Sequence, residues 1–152
     1  MKAVVQRVSG CSVEVENRIT GKIDRGLLIY LGIGSKDQER EIDFLINKII
    51  NLRIFADEHG KMNLSIRDIK GEILVVSQFT LFADLSKGRR PSFNNAAPPE
   101  IAIPLYELLL KRLREQGISV ECGIFGASMK VRYCNDGPVT ILIDTEDFYP
   151  LT

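Results

Sequence analysis

The chain has 152 residues, with 20 Lys and Arg against 20 Asp and Glu, 45% hydrophobic and 26% charged residues. At ~100–200 residues per domain this is one domain, and the composition excludes a disordered, collagen-like or coiled-coil chain. Net neutrality also excludes broad coating of nucleic acid, so any attraction to phosphate must come from a local cluster.

The apolar runs, residues 27–31 and 141–143 among them, fall far short of the ~20 residues of a membrane helix. Gln6 and Arg7 interrupt the first apolar stretch where a secretory signal needs about 7–15 apolar residues, so the expected location is the cytoplasm, with no membrane partner. Cys11, Cys122 and Cys134 are odd in number and lack C-x-x-C spacing, which argues against a disulfide framework or a zinc site. The single histidine, His59, lies in Asp-Glu-His-Gly-Lys, a turn tip. Any His-based catalysis or His-rich metal site would have to run through it, and no metal or cofactor is expected.

In chain order, Val4, Gln6 and Val8 alternate with Ala3, Val5 and Arg7, giving a strand with a polar residue on each face. Val13 and Val15 alternate with Ser12, Glu14 and Glu16, and residues 19–23 return as the second arm of a hairpin. Gly26 opens a run apolar on both faces, the pattern of a central strand. Ser35 and Gln38 have capping-box spacing ahead of Ile42, Leu45, Ile46, Ile49 and Ile50, which predicts a helix over residues 37–51. A short strand at 52–55, the turn at His59 and Gly60 and an irregular stretch lead to Glu72-Ile-Leu-Val-Val. Pro98-Pro99 starts a second helix that ends before Gly117, with Ala102, Leu105, Tyr106, Leu109 and Leu113 as its apolar stripe. Strands are expected at 118–121, 128–134 and 139–143, the last two joined by a tight turn at Asn135-Asp-Gly-Pro138. The fold class is α/β: one domain of mixed, largely antiparallel β-sheets with two packed helices.

Ser77, Gln78 and Thr80 follow an apolar strand without a break. An unpartnered buried hydroxyl or amide costs ~1–3 kcal/mol, so these side chains must be bonded internally or face a pocket at the strand's end. A nucleophilic Ser77 or Thr80 would need a base, and the one histidine sits in a turn. Residues 84–99 form an aperiodic segment in which Lys87, Arg89 and Arg90 accompany Phe93 and no acid between 86 and 94. That composition suits a phosphate backbone with a base to stack on, or a solvated basic loop.

Val4-Val-Gln-Arg-Val8, Asn51-Leu-Arg-Ile-Phe55, Lys61-Met-Asn-Leu-Ser65, Val76-Ser-Gln-Phe-Thr-Leu81, Lys87-Gly-Arg-Arg-Pro-Ser-Phe93 and Asn135-Asp-Gly-Pro-Val-Thr140 together resemble the D-aminoacyl-tRNA deacylase family, in order from residue 1 to about 144. The resemblance implies a single barrel-like domain over residues 1–152, with 145–152 a variable tail. It implies an enzyme that cleaves the ester of D-aminoacyl-tRNA and of mischarged glycyl-tRNA. It further implies a homodimer with a site at each subunit interface. Ser77, Gln78, Phe79 and Thr80 would line the pocket of one subunit, with backbone amides near Gln78 and Phe79 holding the oxyanion. Gly137 and Pro138, joined by a cis bond, would enter from the other subunit and exclude L side chains. The terminal 2′-hydroxyl of the tRNA would assist cleavage, Arg7 would hold the Gly-Pro motif, and Phe125 and Met129 would shape the pocket for the terminal adenosine. Charge alone assigns Lys87, Arg89 and Arg90 to tRNA phosphates; DNA is not an expected partner. Tyr133 and Cys134 depart from the aliphatic residues expected behind the motif. A covalent Thr80, a small-ester esterase and a non-catalytic binder of single-stranded ends remain open at this level.

Overall fold

Two strands that are apolar on both faces organise the molecule. The computed structural model describes residues 1–149. β3 (Gly26–Gly32) runs parallel to β6 (Glu72–Ser77) from Gly26 beside Glu72 to Leu31 beside Ser77. Along β3, Leu27, Ile29 and Leu31 face one hydrophobic cluster, while Leu28 and Tyr30 face another. Burial on both sides removes the polar alternation of a half-exposed strand, the origin of the continuous apolar runs in the sequence.

β1 (Lys2–Val15) pairs antiparallel with β3 through its first half and with β2 (Arg18–Ile23) through its second. Its other edge pairs antiparallel with β8 (Lys130–Asp144), and β7 (Ser119–Cys122) adds in parallel to β6. The order is β2-β1-β3-β6-β7 with β8 on β1. Gly21 of β2 packs on the Cys122 backbone of β7, so the mixed sheet is nearly closed and barrel-like. β4 (Phe55–Ala56) and β5 (Met62–Leu64) form a separate small hairpin.

The helices α1 (Glu39–Asn51) and α2 (Pro99–Glu115) cover one side. Ile42, Leu45, Ile46, Ile49 and Ile50 of α1 are buried against Ala102, Tyr106, Leu109, Leu110 and Leu113 of α2 and against the sheet. Each such side chain contributes roughly 1.5–3 kcal/mol by burial. Val8, Cys11, Val13, Ile23, Leu74 and Val76 fill the opposite side.

Three expectations change. The predicted strand 3–8 and the first hairpin arm are one bent strand, continuous because β8 supports its whole length. The cap of α1 lies at Gln38, whose N–H donates to the Glu41 carboxylate at 2.8 Å, and not at Ser35; Asp37 instead accepts from Gly34 N–H at 2.6 Å. Asn135-Asp-Gly-Pro138 is not a hairpin turn. Val8 pairs with Asn135 and Gln6 with Thr140, so residues 136–139 bulge from a single strand opposite Arg7. Residues 145–149 of the tail pack on the fold: Thr145 N–H donates to the Met1 carbonyl at 2.9 Å, and Phe148 and Tyr149 contact the Phe44 ring of α1 with centroids 4.7 and 5.4 Å away. Residues 150–152 lie outside the described residues.

The β3–β6 contact depends on Gly26, where an added Cβ would stand 1.8 Å from the Glu72 carbonyl oxygen. Gly26→Ala must separate the strands, and its expected cost is ~2 kcal/mol or more, read as a lower urea midpoint at unchanged slope. An unchanged midpoint would contradict the pairing.

Candidate active site

β3 and β6 end together, and the chain leaves β6 through Ser77 and Gln78 into a single 3₁₀ turn, Phe79–Phe82. A cavity of about 270 Å³ opens there. Ser77, Gln78 and Phe79 form one wall, Phe125 and Met129 another, and Leu31, Ile33, Ala97, Ala102, Gly126 and Ala127 complete it with Val76 and Val131. The small side chains at 97, 102, 126 and 127 create the space. Nothing in their hydrophobic spacing distinguishes them from core: Ala102 reads as part of the apolar stripe of α2, and residues 97, 126 and 127 belong to no periodic pattern.

The walls are held from behind. Tyr106 of α2 donates its buried hydroxyl to the Val75 carbonyl at 2.9 Å, and Gly123 N–H donates to the same oxygen at 3.2 Å. The Tyr106 ring also meets Phe125 edge-on with centroids 5.7 Å apart. Burial pushes the Tyr106 hydroxyl far above its ordinary range and keeps it a donor.

None of the lining residues carries a group that titrates near neutral pH. His59 is in the expected exposed turn of the β4–β5 hairpin, beside Glu58. Among the described residues, no cluster of three or more His, Cys, Asp or Glu is placed to hold a metal, and no helix is long and apolar enough to cross a membrane. What the pocket offers is hydrogen-bond donors. Gln78 N–H is committed to the Leu31 carbonyl at 2.8 Å, which removes it from the expected oxyanion donors. Phe79 and Thr80 N–H, at the start of the 3₁₀ turn, have no backbone acceptor among the described residues. Thr80 lies outside the cavity lining, and its hydroxyl accepts a hydrogen bond from the Gln78 side chain.

Gly137 and Pro138 do not reach this cavity in the same chain. Arg7, which faces them, sits beside Leu27, whereas Ser77 sits beside Leu31, four residues or about 13 Å along β3. The bulge is built to project outward. Arg7 donates Nε to the Asp136 carbonyl at 2.8 Å and Nη1 to the Ile54 carbonyl at 2.6 Å. Asn135 Oδ1 accepts from Val139 N–H at 3.1 Å, and its Nδ2 donates to Thr140 Oγ1 at 3.0 Å. Gly137 has φ +137°, where a Cβ would stand 2.8 Å from Arg7 Nη2, so only glycine fits. The Gly137–Pro138 bond is cis and both residues are exposed. Tyr133 and Cys134 are exposed as well, so they do not pack behind the motif. Lys87, Arg89 and Arg90 are exposed on a loop closed by the Asp84–Ser92 bridge, outside the cavity lining.

Arg7→Ala should release the bulge without disturbing the cavity. Val139 amide exchange is expected to speed up about tenfold, the loss of ~1–2 kcal/mol of hydrogen bonding, while Gln78 amide protection stays unchanged. Equal loosening at both amides would show that the two regions are not separate.

The residues match a known family. The family model described as D-Tyr-tRNA(Tyr) deacylase covers residues 4–144. A D-aminoacyl-tRNA deacylase of Thermosipho africanus is 54% identical over 98% of this chain and 100% of its own length. One from Roseiflexus castenholzii is 58% identical over 97% and 94%. Among solved structures, a c-Myc DNA unwinding element binding protein superposes with TM-score 0.89 at 44% identity, covering 95% of this chain and 98% of that one. A probable eukaryotic D-amino acid tRNA deacylase, 17% identical, has the same fold with TM-score 0.81 over 93% and 97%. The chain therefore belongs to the D-Tyr-tRNA(Tyr) deacylase family and is a hydrolase of the aminoacyl-tRNA ester bond.

Proposed function

We propose that this deacylase acts as a homodimer, clears D-aminoacyl and glycyl groups from tRNA, and excludes L-aminoacyl groups by steric collision. The observation that carries the proposal is a pocket with hydrogen-bond donors and no acid or base. Such a site hydrolyses an ester by positioning and by stabilising the oxyanion. The terminal 2′-hydroxyl of the substrate takes the place of the missing base: it orients water against the carbonyl carbon, and Phe79 N–H holds the developing oxyanion. The acyl–oxygen bond breaks, a proton passes to the 3′-oxygen, and free amino acid and tRNA leave. Phe125 and Met129 flank the terminal adenosine, and Ser77 and Gln78 line the aminoacyl side.

The separation of the two motifs supports a dimer. Gly137 and Pro138 are exposed, rigidly held and remote from their own cavity. Leu142, on the same strand, is 66% exposed. A second copy supplies the missing wall when its Gly137 and Pro138 carbonyls enter the pocket, where an L side chain would strike them and a D side chain or hydrogen would not.

Labelled amino-acid release from D-tyrosyl-, L-tyrosyl- and glycyl-tRNA tests the reading, with release expected from the first and third only. Release of L-tyrosine at the D rate would contradict it. A second reading, retention of single-stranded nucleic-acid ends without turnover, predicts binding and no release from any ester; one solved relative is named a c-Myc DNA unwinding element binding protein. For D-tyrosyl-tRNA the kcat profile between about pH 5 and 8 should show only the limb set by the substrate's own α-amino group, because no protein group in the pocket titrates there. A second limb, absent from spontaneous hydrolysis of the same ester, would identify a protein acid or base.

A further inference from the structure

We infer that Phe79 and Phe93 form a stacking platform for the base next to the terminal adenosine, and that the loop carrying Lys87, Arg89 and Arg90 holds the phosphates leading to it. The inference rests on the deacylase reading and concerns how much of the tRNA end the site grips.

A cavity of about 270 Å³ is below the ~300–1,000 Å³ that drug-sized ligands fill, so the rest of a polynucleotide must lie on the rim. One aromatic pair stands there. Phe79 is 57% exposed although its neighbours Val76 and Phe82 are buried, and Phe93 meets it edge-on with centroids 4.9 Å apart and planes at 74°. An edge-on partner fixes one ring and leaves its face open to a base.

The platform and the charges share one anchor. Asp84 and Ser92 exchange backbone hydrogen bonds at 2.8 and 3.0 Å, so residues 85–91 project as a loop and Phe93 follows directly. The return arm is tied to the pocket, because Ala97 N–H donates to the Ile33 carbonyl at 2.8 Å and both residues line the cavity. Asp84, the one acid beside the loop, accepts from Ser86 N–H at 2.9 Å. Residues 85–91 are exposed throughout, with three positive charges and no acid. A ring beside a cationic strand is the arrangement that holds single-stranded nucleic acid without reading its sequence.

The test compares D-tyrosyl-tRNA with 3′-D-tyrosyl-adenosine, which lacks the second nucleotide. Phe93→Leu is expected to lower kcat/KM about tenfold on the tRNA and to leave the adenosine ester within about twofold, with Phe93→Tyr restoring the tRNA rate. Arg89→Gln should reduce the slope of log kcat/KM against log salt by ~0.7 on the tRNA and not on the adenosine ester. Equal losses on both esters with Phe93→Leu would make Phe93 part of the pocket, and no loss on either would remove the platform. Wild-type protein that cleaves neither ester would instead overturn the deacylase reading, and the platform with it.

Discussion

The parallel pairing of β3 with β6 is the constraint on which the site depends. From Leu27 to Ile29 in β3 and from Ile73 to Val76 in β6 every side chain is apolar and buried, and Ser77 is the first polar group beyond the β6 run. Polar groups therefore concentrate at the shared carboxyl end, where the helices on one side and the strand β8 on the other leave a gap lined by small residues. Ligand sites at the carboxyl ends of parallel strands follow the same logic in other α/β folds. The close approach at Gly26 fixes the register at one end of the pair, and the Val75 carbonyl, shared by Tyr106 and Gly123, fixes its surroundings at the other.

β1 supplies a second constraint by carrying β8 along its full length while tolerating a four-residue bulge opposite Arg7. A buried strand would not spare a guanidinium for this purpose. Arg7 is available because it bridges two carbonyls, Asp136 and Ile54, that otherwise have no link. The result is a rigid, outward-facing loop on a face distinct from the cavity. In the proposed dimer, the bulge of one copy would complete the pocket of the other.

The strands and helices were legible where hydrophobic period and burial agree, as in residues 26–32 and 39–51. The cap of α1 was misread because Ser35 and Gln38 have the right spacing, whereas Glu41 lies in reach of the Gln38 N–H. The bulge was misread for a related reason: Asn-Asp-Gly-Pro has the local chemistry of a turn, and only the long-range pairing of Val8 with Asn135 and Gln6 with Thr140 reveals a continuous strand. Ser77 and Gln78 stand out because polar groups interrupt a buried run, and Phe79 enters only through the family resemblance. Thr80 stood out equally, yet it lies outside the cavity lining. The tail, read as variable, packs on Phe44 through aromatic contacts that no periodic pattern announces.

In the proposed mechanism the pocket, which holds no acid or base, positions the ester and the substrate supplies the remaining chemistry. The direct measurement is single-turnover cleavage of D-tyrosyl-tRNA ending in adenosine or in 2′-deoxyadenosine, by wild-type protein and by Thr80→Ala. The account predicts that loss of the 2′-hydroxyl slows cleavage far more than loss of the Thr80 hydroxyl. The reverse order would contradict it and make Thr80 the nucleophile.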